Sequence, residues 1–128
     1  MQIKLSEILI GGYAGVSHPE HPSCDPSEEE IEKAVRENNL ETRGYQEHCK
    51  QLVAEWNQQS HNFDEYNARE RQYHAQRIAF FVVNSWDNHP IILKKDGRSI
   101  HDGLHRAKAA KHRRMKTVPV RICDDPRL

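Results

Sequence analysis

The sequence predicts one small α/β (α+β) domain, in which a small mixed sheet carries a helical insertion. Two observations indicate this class. The last third of the chain alternates strand, turn, strand, helix and strand signals, whereas the middle of the chain carries helical patterns. The length of 128 residues is that of one domain, which we place at residues 1–128, and it suffices to bury a core without disulfides.

The first predicted elements are a strand, a loop and a helix. The segment QIKLSEIL alternates weakly between apolar and polar residues and ends before Gly11 and Gly12, which predicts a strand. In DPSEEEIEKAVRENNL, either Asp25 or Ser27 can cap a helix, and the acidic residues that follow favour the positive end of the helix dipole. This helix is predicted to end at Asn38.

Two further helices are predicted in the middle of the chain, over residues 42–60 and 64–77. The apolar stripe of the first consists of Tyr45, Cys49, Leu52, Val53 and Trp56. The segment IAFFVVNSW after the second helix leaves two alternatives open. Its aromatic and β-branched residues favour a strand, but it follows directly on a helical pattern.

The last third predicts a strand in HPIILKK, a tight turn at Asp96-Gly97, a partner strand in RSIHD, a helix over residues 103–115 and a strand in TVPVRIC. The helix begins directly at the end of a strand, at Asp102-Gly103. The unpaired backbone N–H groups of such a helix start bind phosphate readily, and glycine allows a ligand to approach the backbone closely. His105 and Arg106 lie in the first turn and can add charge-assisted hydrogen bonds.

The segment HPIILKKDGRSIHDGLHRAKAAKHRRMKTVPVRI, residues 89–122, resembles the core of the ParB/sulfiredoxin superfamily. In that superfamily a strand pair leads into a Gly-x-His-Arg or Gly-Glu-Arg-Arg helix start, an alanine-rich helix and a final strand. The segments IKLSEI and SEEEIEKAVRENNL resemble its first strand and first helix. The resemblance covers about residues 1–40 and 89–123, which leaves residues 41–88 as the helical insertion.

The resemblance implies a nucleotide site. The turn Gly103, Leu104, His105 and Arg106 would bind the phosphates of ATP, ADP or CTP with Mg²⁺, for hydrolysis or for phosphoryl transfer. Leu104 stands where sulfiredoxin has its reactive cysteine, which argues against sulfinic-acid repair. No helix-turn-helix domain follows, which argues against a role in chromosome partition.

Two acidic residues are candidate catalytic groups. Asp102 precedes the turn and could hold Mg²⁺ or accept a proton from an attacking hydroxyl, but an aspartate at this position can equally cap the helix. Superfamily members that act as kinases use an acidic residue from the first helix, and Glu30 is our candidate for it. The alternative is that Glu30, like its neighbours, is a solvated charge of the first turn.

The charges of the chain are distributed unevenly. Residues 1–93 carry a net charge of −7 and residues 94–128 a net charge of +7, although the total is zero. A competing hypothesis is therefore a DNA-binding or nuclease accessory protein of a plasmid or phage, with Lys108, Arg113 and Lys116 on nucleic acid. The alternatives are a solvated basic face and an interaction-only protein whose nucleotide turn is vestigial.

The remaining signals concern localisation and metals. No apolar run reaches the length of a membrane span, and the N-terminus lacks the features of a secretory signal, so we expect a cytoplasmic protein without membrane contact. Three cysteines at irregular spacing argue against a disulfide framework. His18, His21 and Cys24 have a spacing that could ligate zinc, but no fourth ligand is evident, which favours a structural or incidental role.

Overall fold

The computed structural model describes residues 1–13, 24–56, 63–84, 86 and 89–123. In this part of the chain it shows four α-helices and a four-stranded mixed sheet, which confirms the predicted α+β class. The elements in chain order are β1 (Gln2–Lys4), α1 (Glu28–Arg36), α2 (Tyr45–Trp56), α3 (Phe63–Val83), β2 (Ile91–Leu93), β3 (Ile100–Asp102), α4 (Leu104–His112) and β4 (Thr117–Ile122). None of the helices in these ranges is long and apolar enough to cross a membrane.

By their contacts, the residues fall into two compact units. The first, Met1–Gly12 with Phe81–Leu128, contains the whole sheet and α4 and is called the sheet unit below. The second, Tyr13–Phe80, contains α1, α2 and most of α3 and is called the helical unit. The sequence predicts one domain with an insertion over about 41–88, so this division places α1 with the inserted helices instead of with the sheet.

The sheet has the strand order β1–β4–β2–β3. Strand β4 pairs antiparallel with β1 and parallel with β2, and β2 pairs antiparallel with β3. The β2–β3 turn is at Asp96-Gly97, as predicted. The Asp96 carboxylate accepts the backbone N–H groups of Arg98 and Ser99, and Gly97 has a φ of 71°. Because β2 and β4 are parallel, the chain must cross over between them, and α4 lies in that crossover.

The core of the sheet unit combines large strand residues with small helix residues. Alanine at the buried positions of α4 lets the helix backbone approach the sheet closely, while branched side chains of the strands fill the space between. The fully buried members of this core are Ile91, Leu93, Ala107, Ala110 and Val118. The positioning of the β3–α4 turn depends on this packing, since Ile91 lies beside the turn.

Two boundaries in the sheet unit differ from the sequence prediction. The predicted N-terminal strand is shorter, because Leu5–Glu7 form a 3-10 helix after β1. Helix α4 ends at His112 and not at residue 115. Arg114 has a φ of 57°, and the N–H of Met115 then reaches back to the carbonyl of Ala110 at 3.0 Å. This left-handed residue with its backward hydrogen bond is the usual way in which a helix is closed.

In the helical unit, the predicted position of the start of α1 is confirmed. Ser27 is the N-cap, since its hydroxyl accepts the N–H of Glu30 at 3.2 Å, and the Glu30 carboxylate accepts the N–H of Ser27 at 3.1 Å. These two bonds form a capping box. The other candidate cap, Asp25, instead accepts the backbone N–H of Tyr13 at 2.7 Å. The sequence therefore predicted where the helix begins, and the structure shows that Ser27 and not Asp25 is its cap.

The other helices of this unit differ more from prediction. Helix α3 continues through the ambiguous segment to Val83. Ile78 and Ala79 are fully buried there, and the helix itself pairs their backbone groups, so they need no strand partner. The predicted apolar stripe of α2 is partly wrong, since Val53 is 59% exposed. The buried face of α2 instead carries His48 and Leu52, which lie one helical turn apart.

Candidate phosphate-binding turn

The candidate site is the turn between edge strand β3 and helix α4. Gly103 is the N-cap of α4 and has a φ of 108° and a ψ of 26°, a conformation that residues with a Cβ rarely adopt. The predicted site residues lie on one strand end and the helical turn that follows it, namely Asp102, Gly103, Leu104, His105 and Arg106.

Space around Gly103 is tight. A Cβ atom added to this residue would lie 3.2 Å from Nε and Nη2 of Arg106 and 3.2 Å from Cα of Ile91. These distances are shorter than a normal carbon contact of about 3.5–4.0 Å. The glycine thus serves two purposes, because it permits the left-handed turn and leaves room for the arginine side chain.

The Arg106 side chain is folded back beneath the turn and is only 12% exposed. Its Nη1 donates to the backbone carbonyl oxygens of His89 at 2.6 Å and Pro90 at 3.0 Å. Its Nη2 lies 3.3 Å from Oδ2 of Asp102. The sequence predicts only a phosphate-binding role for Arg106. The structure adds a second role, in which the guanidinium ties the segment before β2 to the start of α4.

The backbone of the turn points donors out of the helix. The first hydrogen bond within α4 runs from the N–H of Ala107 to the carbonyl of Gly103, at 2.9 Å. The N–H groups of the preceding turn therefore point along the helix axis, away from the helix interior. Gly103 has no side chain that could cap them, and Asp102 does not act as the cap. Such a helix end carries partial positive charge and suits an anion.

Asp102 is the acidic residue beside the turn. Its carboxylate is 65% exposed, so it can reach a ligand. Within the part of the chain that the structure describes, no group of three or more His, Cys, Asp or Glu residues could hold a metal ion. A metal at this turn would thus need ligands from a bound phosphate in addition to Asp102, which is how Mg²⁺ is commonly bound.

The second predicted catalytic residue, Glu30, lies in the helical unit. Its carboxylate forms a bidentate ion pair with Arg71, with two oxygens at 2.8 and 2.9 Å from Nε, and also completes the capping box of α1. The hydrogen bonds from Arg71 lower the pKa of Glu30 below its usual value. A carboxylate stabilised in its charged form is a weak base, so this geometry indicates a structural role.

The residues of the competing DNA hypothesis are on α4 and just after it. Arg113 and Lys116 are exposed, whereas Lys108 is half-buried. The zinc hypothesis falls mostly outside the described residues, because His18 and His21 are not among them. Cys24 is 2% exposed, and its thiol donates to the carbonyl of Tyr13 at 3.1 Å, which is consistent with a structural role.

A buried carboxylate in the helical unit was missed by sequence reasoning. Glu70 on α3 is fully buried, and it accepts hydrogen bonds from Tyr45 Oη at 2.9 Å and from His48 Nε2 at 2.7 Å. Nε2 of His74 lies 3.6 Å from the same carboxylate. The two imidazoles are themselves stacked on tyrosine rings, His48 on Tyr73 and His74 on Tyr13.

This cluster keeps Glu70 charged. Burial by itself raises the pKa of the Glu70 carboxyl, but the side chains of His74, His48 and Tyr45 outweigh burial and lower its pKa to about 2. A buried charge with several partners rigidifies its surroundings and is costly to disrupt. The only sequence signal was the spacing of Glu70 and His74, one helical turn apart, and nothing in the sequence connected it to His48 on another helix.

Comparisons of the chain with protein-family models, with curated proteins and with solved structures find no match. The resemblance to the ParB/sulfiredoxin superfamily therefore stays a prediction from the residues.

Proposed function

We propose that the chain binds the phosphates of a nucleoside di- or triphosphate, such as ATP, ADP or CTP, at the β3–α4 turn, together with Mg²⁺. The observation that carries the proposal is that α4 begins at the end of an edge strand with a left-handed glycine and no side-chain cap. The bound nucleotide would be hydrolysed or would donate a phosphoryl group, as the resemblance to the ParB/sulfiredoxin superfamily implies.

Three features of the turn fit a phosphate. The N–H groups of the first turn of α4 point out of the helix end, where a phosphate oxygen can accept them. The missing Cβ of Gly103 allows that oxygen to come close to the backbone. The charge of Arg106 lies directly beneath the turn, where it stabilises an anion even while Nη1 stays bonded to backbone carbonyls.

Asp102 fits a magnesium ion that arrives with the nucleotide. Mg²⁺ usually takes one or two carboxylates, phosphate oxygens and water, and Asp102 is exposed beside the place where the phosphates would lie. The metal would neutralise phosphate charge, and the turn would hold the phosphates in place. Positioning and charge neutralisation account for most of phosphoryl-transfer catalysis. Asp102 would serve either as this metal ligand or as the group that accepts a proton from an attacking hydroxyl, since its exposed position allows each role.

The first test is titration of the folded protein with ATP, ADP, CTP and duplex DNA, each with and without Mg²⁺, followed by calorimetry and by backbone amide NMR. We expect one nucleotide to bind and to shift the amide signals of residues 103–107 most strongly. Asp102→Asn should remove the increase in affinity that Mg²⁺ gives, and it should leave Mg²⁺-free binding in place.

A control variant is Glu7→Gln, which removes one exposed carboxylate of the sheet unit outside the turn. It should bind nucleotide and Mg²⁺ as the parent does. The proposal is wrong if none of the three nucleotides binds, or if the amide shifts on binding lie away from residues 103–107. Equal loss of the Mg²⁺ effect in both variants would exclude Asp102 as the metal ligand.

A second candidate function, DNA binding, is favoured by the exposure of Arg113 and Lys116 together with the +7 charge of residues 94–128. A protein that neutralises several DNA phosphates loses roughly 10³-fold or more in affinity between 50 and 200 mM salt. A nucleotide that meets few charges should lose far less. The triple change Lys108→Gln, Arg113→Gln and Lys116→Gln should weaken DNA binding and spare nucleotide binding. Tight duplex binding without nucleotide affinity would make DNA the preferred ligand.

A further inference from the structure

The sheet unit contains an open groove of about 810 Å³ that is separate from the β3–α4 turn. One wall is the segment from Lys4 to Ile10, and the other runs from Lys111 at the end of α4 to Thr117 at the start of β4. The groove is therefore near the C-terminal end of α4, whereas the phosphate-binding turn is at its N-terminal end. Nine helical residues, or about 13 Å, separate the two ends.

The backbone holds both walls of the groove in place. The N–H of Leu5 donates to the carbonyl of Lys116 at 2.9 Å, which ties the two walls together. Further along, the N–H of Leu9 donates to the carbonyl of Arg98 at 2.9 Å, so the first wall is anchored at both ends. The groove is consequently formed before any ligand arrives, as is usual for small-molecule sites.

The interior of the groove is apolar. Its hydrophobic lining consists of Leu5, Ile8, Ile10 and Met115. Ile8 belongs to the buried core, and the other three are half-buried at its margin. An apolar cleft within the range of about 300–1,000 Å³ is typical of sites for small organic ligands.

The rim of the groove is positively charged. Lys4, Lys111 and Lys116 all line it and all are exposed. Among the residues that the structure describes, none of the three lysines forms an ion pair, and no acidic side chain lines the groove. The aliphatic part of a lysine side chain often covers apolar surface, so lysines beside an apolar groove do not by themselves indicate a ligand. Three like charges around one groove repel one another, however, and an anion between them would relieve that repulsion.

We propose that this groove binds an anionic amphiphile, namely a medium-chain carboxylate whose alkyl chain lies on the apolar lining and whose head group meets the lysines. A singly charged carboxylate is assigned because the cost of desolvating a head group rises with the square of its charge, and the negative end of the α4 dipole opposes part of the attraction from the lysines. This site is independent of the proposed nucleotide site, and either can exist without the other.

Decanoate is the probe for the test. Its titration into the isotopically labelled protein, below the concentration at which it forms micelles, should give saturable amide shifts in residues 4–10 and 111–117. Decanol, which lacks the charge, and acetate, which lacks the chain, should each bind much more weakly. Replacing decanoate with octanoate should raise the Kd by about fourfold for each buried methylene that is lost from the alkyl chain.

The charge requirement is tested with two triple variants. Lys4→Gln with Lys111→Gln and Lys116→Gln removes the rim, and it should raise the Kd for decanoate about tenfold, as expected for three exposed charge pairs. The control is Lys50→Gln with Lys94→Gln and Lys95→Gln, which removes the same charge from exposed positions outside the lining. It should bind decanoate as the parent does, and circular dichroism should show both variants folded.

Four results would overturn the proposal. Decanoate binding that is not saturable, or amide shifts spread over the whole chain, would mean detergent-like association. Equal Kd values for the two triple variants would mean that the rim lysines do not recognise the head group. Tighter binding of decyl phosphate than of decanoate would overturn the assignment of the ligand as a carboxylate.

Discussion

Replacing Gly103 with alanine is expected to destabilise the sheet unit much more than the same change at Gly97. Both glycines have a positive φ, 108° at Gly103 and 71° at Gly97. A Cβ at Gly97 would meet no atom within 4 Å, whereas a Cβ at Gly103 would meet Arg106 and Ile91 at 3.2 Å. The pair of variants therefore compares a glycine in open surroundings with a glycine in crowded surroundings.

The expected magnitudes follow from these contacts. A residue with a Cβ held at positive φ costs about 1–3 kcal/mol, partly offset by a gain of about 0.4–1 kcal/mol from the less flexible unfolded chain. At Gly97 the net loss should stay near 1 kcal/mol. At Gly103 the new methyl group also displaces the Arg106 guanidinium, and charged hydrogen bonds are each worth about 1.5–3 kcal/mol. We expect a total loss of about 3 kcal/mol for Gly103→Ala.

The assay is urea unfolding followed by fluorescence in a Trp56→Phe background. The chain has two tryptophans, so this background leaves Trp86, which is 4% exposed within the core of the sheet unit, as the reporter. Adding Arg106→Ala to Gly103→Ala should reduce the cost of the glycine change by about 1 kcal/mol or more, because two of the three close contacts are then gone.

Losses of stability that agree within about 0.5 kcal/mol for Gly103→Ala and Gly97→Ala would show that the close contacts at Gly103 add no cost, since smaller differences between independent sites are not significant. The same would follow if removing the Arg106 side chain left the cost of Gly103→Ala unchanged. In either case the guanidinium would not be held beneath the turn, and its contribution to phosphate binding would need another explanation.

Three further predictions concern the helical unit. Because the pKa of Glu70 is lowered from 4.5 to about 2, its charge contributes stability that is present above pH 4.5 and is lost as the pH falls toward 2. In urea titrations, Glu70→Gln should reduce the change in the free energy of unfolding between neutral and acidic pH by up to about 3 kcal/mol. The control Glu65→Gln removes an exposed carboxylate of the same helix and should leave that change as it is in the parent. The same pH profile of stability for both variants would contradict this role of Glu70. Ser27→Ala should lower the free energy of unfolding by about 1 kcal/mol, whereas Ser27→Asp should lower it by almost nothing. Equal losses for the two variants would show that Ser27 does not cap α1. Burial raises the pKa of Cys24, so mass spectrometry should find its alkylation at least about tenfold slower than that of the other two cysteines; equal rates would show that it is accessible.

Local signals in the sequence were sufficient where a few neighbouring residues decide the structure. The start of α1 near Ser27 and the turn at Asp96-Gly97 each depend on about four residues of chain, so their positions can be predicted without knowing the fold, although only the structure shows that Ser27 and not Asp25 is the cap. The β3–α4 turn belongs to the same group. Gly103 at a strand end before an alanine-rich helix predicted the position of the turn, and the structure confirms that position.

Contacts distant in sequence were not predicted. Arg106 bonds to carbonyls 16 and 17 residues earlier in the chain, and its hydrophilic character pointed only to solvent or a ligand. Glu70 joins His48 across 22 residues, although charged and imidazole side chains usually indicate a helix surface. The groove between the N-terminal segment and the end of α4 likewise has no counterpart in any local pattern.

The sequence by itself determined the fold class, the approximate positions of the helices and strands and the residues of the β3–α4 turn. These follow from backbone propensities, periodicity and capping, which act over a few residues. Only the tertiary structure decided the strand order, the extension of α3 through an apolar segment, the inward orientation of Arg106 and the burial of Glu70. A charged side chain is stable inside a protein only if partners from elsewhere in the chain meet it, and the folded backbone alone determines which partners those are.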